Sequence, residues 1–360
     1  VNSTPTSRPI GWRKPAIRAL KAAVAVLVFW GVGRHVARTW DDLARGGASL
    51  RVEPGWLAFS GLSYLVGLAF CGAFYRDVLA ASPTPIGLFP ALRAYLISHL
   101  GKYVPGKAVV VVMRAALSTP YGARASTSAV ATFYETLVMM ASGALIAAVL
   151  FAAGGDSPVV DLGREVLGVR EIRAFTLFAM IAGGLAAAFL VVVAPPVFLR
   201  LAGTFTRKVP GVGEAALSKF TWGLMARGLV LTGVSWGFLG LSQAAAARGL
   251  SGMGGPGLDL AATIPVAVAS VALATVAGFV VAVAPGGLGV RESVLMYALG
   301  PAFGPGLAVA SALVLRLVWV AAEVIAALVL GPLGRPAKPR GEAVAAAEVL
   351  QESVPMSEAP

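Results

Sequence analysis

Arg291 and Glu292 stand side by side at the end of a stretch, Leu260 to Val290, that carries no charge, and directly before them come Pro285, Gly286, Gly287 and Gly289. A helix cannot run straight through that string, because proline lacks the N–H and glycine favours other backbone angles. Unpaired backbone is tolerated in hydrocarbon only where protein or a water-filled cavity surrounds it. The string predicts the tip of a re-entrant hairpin, with a half-helix returning from about Val290 to Leu299. Such a half-helix aims its free N–H groups and positive dipole end at the tip, and with Arg291 this makes an anion site for which phosphate is the obvious occupant. A nucleotide-binding loop is excluded, since the glycines follow an apolar helix rather than a strand and lack the Gly-Lys-Ser/Thr ending.

A second break, Gly101 to Lys107, interrupts the segment Ile86 to Leu117 and carries Lys102, Tyr103 and Lys107, with Arg114 following. Lys107 is the candidate counterpart of Arg291. Three more charges lie inside apolar helices: Glu135, Arg316 and Glu323, the last two seven residues apart and so on one helix face. A charge at mid-membrane costs at least about 2.5–3.5 kcal/mol, so these groups are expected to face a protein interior or water and to mark function. They can also serve as structural ion pairs, and Glu135 with Arg316 is the expected pair. The lone His99 reads as a helix-face residue with a local hydrogen bond. The rings of Tyr103, Trp30, Trp236 and Trp319 read as packing or interfacial groups, although its place within the break keeps Tyr103 among the candidate contacts.

The elements that must hold these residues follow from composition. Of the 360 residues 58% are hydrophobic and 13% charged, against about 25% charged in soluble domains. The chain is therefore read as an all-α integral membrane protein. Full spans are expected at about Ala16–Val36, Pro54–Tyr75, Ala125–Ala152, Ala174–Leu199, Phe220–Ala247 and Pro305–Leu330, from uncharged runs near the roughly 20 residues that cross hydrocarbon. Residues 1–15 form a basic, proline-bearing segment, 16–332 one transmembrane domain, and 333–360 a tail expected to be disordered. The single cysteine, Cys71, excludes an intrachain disulfide, and two histidines cannot build a metal cluster; no cofactor is expected. The net charge of +12 lies between spans, where it orients a membrane protein, so nucleic acid is not the expected partner.

Pro105 precedes Glu135 by 30 residues and Pro285 precedes Arg316 by 31. Each half, about 16–152 and 172–332, then reads as span, span, broken hairpin, span. Three full crossings per half require the second half to be inverted. The expected fold is a bundle of six spans and two re-entrant broken helices in an inverted four-plus-four repeat. Basic residues dominate the N-terminus, the 200–219 loop and residues 335–340, whereas residues 153–173 hold four acids and three bases. Positive-inside bias places both termini in the cytoplasm; the first loop, 34–54, fits less well, with four arginines against three acids.

With Ser98-His99-Leu100-Gly101-Lys102-Tyr103-Val104-Pro105-Gly106-Lys107, then Arg114 and Glu135, and above all Pro285-Gly286-Gly287-Leu288-Gly289-Val290-Arg291-Glu292, the chain resembles the flippase-like membrane domain of bacterial lysylphosphatidylglycerol synthases, or multiple peptide resistance factors, and their stand-alone relatives. The resemblance covers roughly residues 16–332. It implies a bacterial inner-membrane protein that moves a phospholipid, aminoacylated or not, or a polyprenyl-linked lipid between leaflets. Lys102, Tyr103, Lys107, Arg114, Glu135, Gly286, Gly287, Gly289, Arg291, Glu292, Arg316 and Glu323 are the expected substrate contacts. No folded transferase domain is expected after residue 340, so the chain is expected not to be an enzyme. The expected partners are the lipid itself and, among proteins, a second copy or a lipid-synthesising enzyme. Two other readings stand beside translocation: a transporter or channel for a soluble anion, and an accessory membrane protein whose charges only hold the fold.

Overall fold

A computed structural model of the chain describes residues 52–81, 85–103, 108–154, 157–166, 169–206, 220–250, 259–281 and 290–334. They are nearly all helical: α1 (Pro54–Ala80), α2 (Leu88–Ser98), a 3₁₀ turn (His99–Tyr103), α3 (Ala108–Ser118), α4 (Ala125–Ala152), α5 (Ala174–Val193), α6 (Pro195–Thr206), α7 (Trp222–Arg248), α8 (Leu260–Val280), α9 (Val290–Phe303) and α10 (Pro305–Leu330). Six of these, α1, α4, α5, α7, α8 and α10, are long and apolar enough to cross a membrane. The protein is a multi-pass membrane protein. The expected span at 16–36 lies outside the described residues.

The first broken segment is made of helices too short to cross. α2 and α3 have 11 residues each, a rise of roughly 16 Å against about 30 Å of hydrocarbon. Between them Gly101 is buried so close to the returning limb that a Cβ there would stand 3.0 Å from the Val110 nitrogen. The second segment is unequal. α8, expected as the entering limb of a hairpin, has 21 residues, enough to cross at roughly 31 Å, whereas the 14 residues of α9 rise only roughly 21 Å. α9 and α10 are separate helices joined at Gly304, whose φ of 77° is left-handed backbone that glycine adopts without penalty.

Two sequence expectations change. The span 174–199 ends at Val193, because Pro195 and Pro196 cannot continue the ladder, and α6 starts afresh there. The segment between α4 and α5, read only as a charged loop, contains an antiparallel ribbon, β1 (Val159–Val166) with β2 (Val169–Arg173), pairing Val160 with Ile172.

The helices pack by small residues and polar links, as expected where lipid removes the hydrophobic drive for association. α1 and α7 run antiparallel at the centre: the Glu53 amide donates to the Gly249 carbonyl at one end (2.8 Å), the Ser60 hydroxyl to the Ser242 carbonyl (2.7 Å), and Arg227 reaches Asp77 at the other end (2.7 Å). A Cβ on Gly143 would stand 2.6 Å from the Trp236 ring, whose indole N–H donates to the Met139 carbonyl at 3.0 Å. Trp236 is thus a packing residue, as expected. The packing partners also follow a pattern. α1 meets α2, α4 and α10; α7 meets α8, α10 and α4. α2 meets α3 and α10 while α8 meets α9 and α4, and α3 meets α4 as α9 meets α10. Exchanging α1, α2, α3 and α4 for α7, α8, α9 and α10 maps this set of contacts onto itself, as a repeat would.

Candidate functional site

The tip of the first hairpin lies against α10. The 3₁₀ turn puts Lys102 and Tyr103 beside Arg291 in the first turn of α9 and beside Arg316 of α10. These four, with Leu295, Ala312, Leu315 and Trp319, line a narrow cleft of about 40 Å³, which at 10–15 Å³ each is room for about three waters. Three basic side chains from three separate elements therefore converge on one opening, and the positive N-terminal end of α9 adds to their field.

Behind the cleft sits an acid. Lys102 ion-pairs with Glu323, whose side chain is wholly buried while that of Lys102 is 24% exposed. The Lys102 ammonium also donates to the Tyr64 hydroxyl at 3.1 Å, and Tyr64 in turn donates to the same Glu323 oxygen, Oε1. The second oxygen, Oε2, is buried with no hydrogen-bond partner among the described residues. The Tyr64 and Tyr103 rings flank the ammonium at 5.7 and 5.1 Å. Tyr64 stacks on Trp319 with centroids 4.2 Å apart and planes 10° from parallel, and the Arg291 guanidinium lies 4.3 Å from the Trp319 ring centre. Trp319 is fixed from α7 by a hydrogen bond from its indole N–H to the Ser242 hydroxyl, 2.9 Å. The arrangement can hold an oxyanion with charge-assisted hydrogen bonds, and two of its cations are guanidiniums able to grip it in bidentate fashion.

A second charged cluster lies between the first hairpin and α4. Glu135 of α4 pairs with Arg114 of α3 at 3.2 Å, both almost fully buried. Tyr95 donates to Glu135 at 2.9 Å, Arg114 donates to the Ser98 hydroxyl at 3.0 Å, and its guanidinium lies 3.9 Å from the Tyr95 ring centre. The expected partner of Glu135 was Arg316. The pair that forms joins residues of one half because α3 returns directly onto α4, while Arg316 opens on the cleft.

Of the expected contacts, Lys102, Tyr103, Arg291 and Arg316 come together at the cleft, with Glu323 behind it; Arg114 and Glu135 belong to the inner pair. Lys107, Gly286, Gly287 and Gly289 lie outside the described residues, as does the side chain of Glu292, whose backbone is in α9. His99 stacks on Tyr95, 5.7 Å between centroids, in place of the expected local hydrogen bond; its Nδ1 has no such partner among the described residues. Sequence reading missed Tyr64, Tyr95 and Ser98, and took Trp319 for packing. The available signal was spacing along α10: Arg316, Trp319 and Glu323 stand at i, i+3 and i+7 on one helical stripe.

With that geometry in place, comparison with known proteins gives the family. The model of the lysylphosphatidylglycerol synthase TM region matches residues 18–339, and the chain belongs to that family. No curated protein matches the chain.

Proposed function

We propose that the protein carries a phosphate-bearing membrane lipid from one leaflet to the other, with the headgroup held by Lys102, Arg291 and Arg316. The observation that carries this reading is the convergence of these three cations on a single cleft at a hairpin tip. Leu295, Ala312 and Leu315 on the same walls suit the start of acyl chains and favour a lipid over a soluble anion. At about 40 Å³ the cleft is closed to a headgroup, so loading requires the 3₁₀ turn to part from α9 and α10. The protein acts in a bacterial inner membrane with both termini in the cytoplasm, and the lipid, aminoacylated or not, or polyprenyl-linked, is its principal partner. The family match, which is to the membrane region of a synthase, supports transport.

The test is leaflet-to-leaflet transfer of fluorescent phosphatidylglycerol in liposomes by folded variants. Arg291→Lys is expected to keep part of the rate, since lysine offers only a point charge, and Arg291→Ala little of it. Unchanged transfer of every lipid tried by Arg291→Ala would refute the headgroup assignment.

A further inference from the structure

We propose that Glu323 is a proton-binding site coupled to the headgroup: when an anionic phosphate enters the cleft it takes Lys102 away from Glu323, and the carboxylate, sealed behind, takes up one proton. The inference rests on the reading of the cleft as a phosphate site. Lys102 is the only member of its ion pair that the cleft can reach. Its side chain is 24% exposed and lines the opening, whereas that of Glu323 has no exposure at all. A phosphate oxygen can therefore compete for the ammonium, but nothing that enters can replace the ammonium at the carboxylate. A buried carboxylate that has lost its cation is costly to keep charged, and neutralising it is the cheaper course.

The site has room for the proton's consequences. Oε1 already accepts from Tyr64 and Lys102, while Oε2 is buried with no hydrogen-bond partner among the described residues, so a proton there displaces no existing bond. Among the described residues, the charged and titratable groups around Glu323 are Tyr64 from α1, Lys102 and Tyr103 from the hairpin tip, Arg291 from α9 and Arg316 on its own helix. α7 faces this region with Ser242 and Gln243, neither of which titrates. One O–H bond forms on the Glu323 carboxylate and one bond to hydrogen breaks in the proton's donor, a hydronium ion or buffer acid in the surrounding water, which is left as its conjugate base. The phosphate's negative charge is thus balanced by one proton, so the loaded protein carries the same charge as the empty one. A proton gradient could then drive the loaded and empty forms across unequally.

Two-buffer calorimetry on the purified wild-type chain in detergent reads the proton directly. Titration at pH 7 with dihexanoyl-phosphatidylglycerol is expected to show close to one proton taken up per lipid bound. Affinity is expected to rise up to tenfold for each unit that pH falls, because the bound state holds the extra proton. Glu323→Gln is expected to bind with no proton uptake and no pH dependence. Should that variant fail to fold with Lys102 left unbalanced, the wild-type titration decides alone. Lipid binding without proton uptake in the wild type, or uptake that persists in Glu323→Gln, would overturn the inference and leave the headgroup reading standing. Dimethyl phosphate, a soluble phosphodiester of the same charge, separates the sources: its binding with proton uptake, alongside no binding of the lipid, supports Glu323 but overturns the lipid as ligand. No binding of either compound overturns both.

Discussion

Replacing Glu135 by glutamine removes one charge from a buried pair and keeps the side chain's shape. Arg114 is then left 2% exposed, holding the Ser98 hydroxyl at 3.0 Å and the face of Tyr95 at 3.9 Å but without a counter-ion. Breaking a buried pair from one side typically costs about 3–5 kcal/mol. The glutamine oxygen can still accept from Tyr95 or Arg114, which places the expected loss near the lower end, about 3 kcal/mol. At about 2 °C per kcal/mol for a large domain, the thermal midpoint in detergent should fall by about 6 °C. Glu171→Gln, on the exposed face of β2, is the control and should stay within about 0.5 kcal/mol. The double change Arg114→Met with Glu135→Leu removes both charges and should recover most of the loss, since well-packed apolar replacements of buried pairs are often neutral or stabilising. Equal shifts for Glu135→Gln and Glu171→Gln would refute the pair's role, and so would a double variant as unstable as the sum of its singles.

Gly143→Val should destabilise the protein by about 1–3 kcal/mol through collision with Trp236, read in the same thermal scan; an unchanged midpoint would mean that α4 and α7 do not approach this closely. Arg93 donates from Nε to the Leu330 carbonyl and from a terminal nitrogen to the Gly331 carbonyl, each at 2.9 Å, closing the C-terminus of α10. Arg93→Ala should therefore speed amide exchange in the last turn of α10 and leave α4 unchanged. In a background lacking Cys71, single cysteines at Gly122 and Gly304 should label from opposite sides of the membrane if the halves are inverted, and labelling from one side would exclude the inversion.

The membrane itself made much of the fold legible. Hydrocarbon demands about 20 apolar residues per crossing and forbids exposed broken backbone. Runs such as Ala125–Ala152 and breaks such as Gly101–Lys107 therefore stand out without any knowledge of tertiary contacts. The two errors of detail had local signals. Pro195-Pro196 marks a helix end, and the alternation Val160, Asp161, Leu162, Gly163 marks a strand, but each was outweighed by the apolar run or the charge count around it. The length of α8 had a signal too, in the uncharged run that begins at Leu260. Its residues are as apolar as a crossing helix, and only the position of the break beyond it suggested a re-entrant limb.

The pairing of charges was legible only in part, for a geometric reason. Counting residues from each Pro-Gly break gives the depth of Glu135 and of Arg316, but depth leaves open which way round the helix a side chain points and which neighbour it meets. Glu135 meets Arg114 on the adjoining limb, whereas Arg316 opens on a cleft with Lys102 from the other half. The contact pattern survives exchange of the two sets of helices because bilayer thickness and helix packing constrain both alike. The polar residues are under no such common constraint, so one charge at a matching depth can enter a sealed ion pair while the other opens on a cleft. The charged and aromatic contacts do not follow that exchange: Lys102 reaches across to Glu323, and the place of Trp319 becomes visible only when Tyr64 and Arg291 lie against its ring.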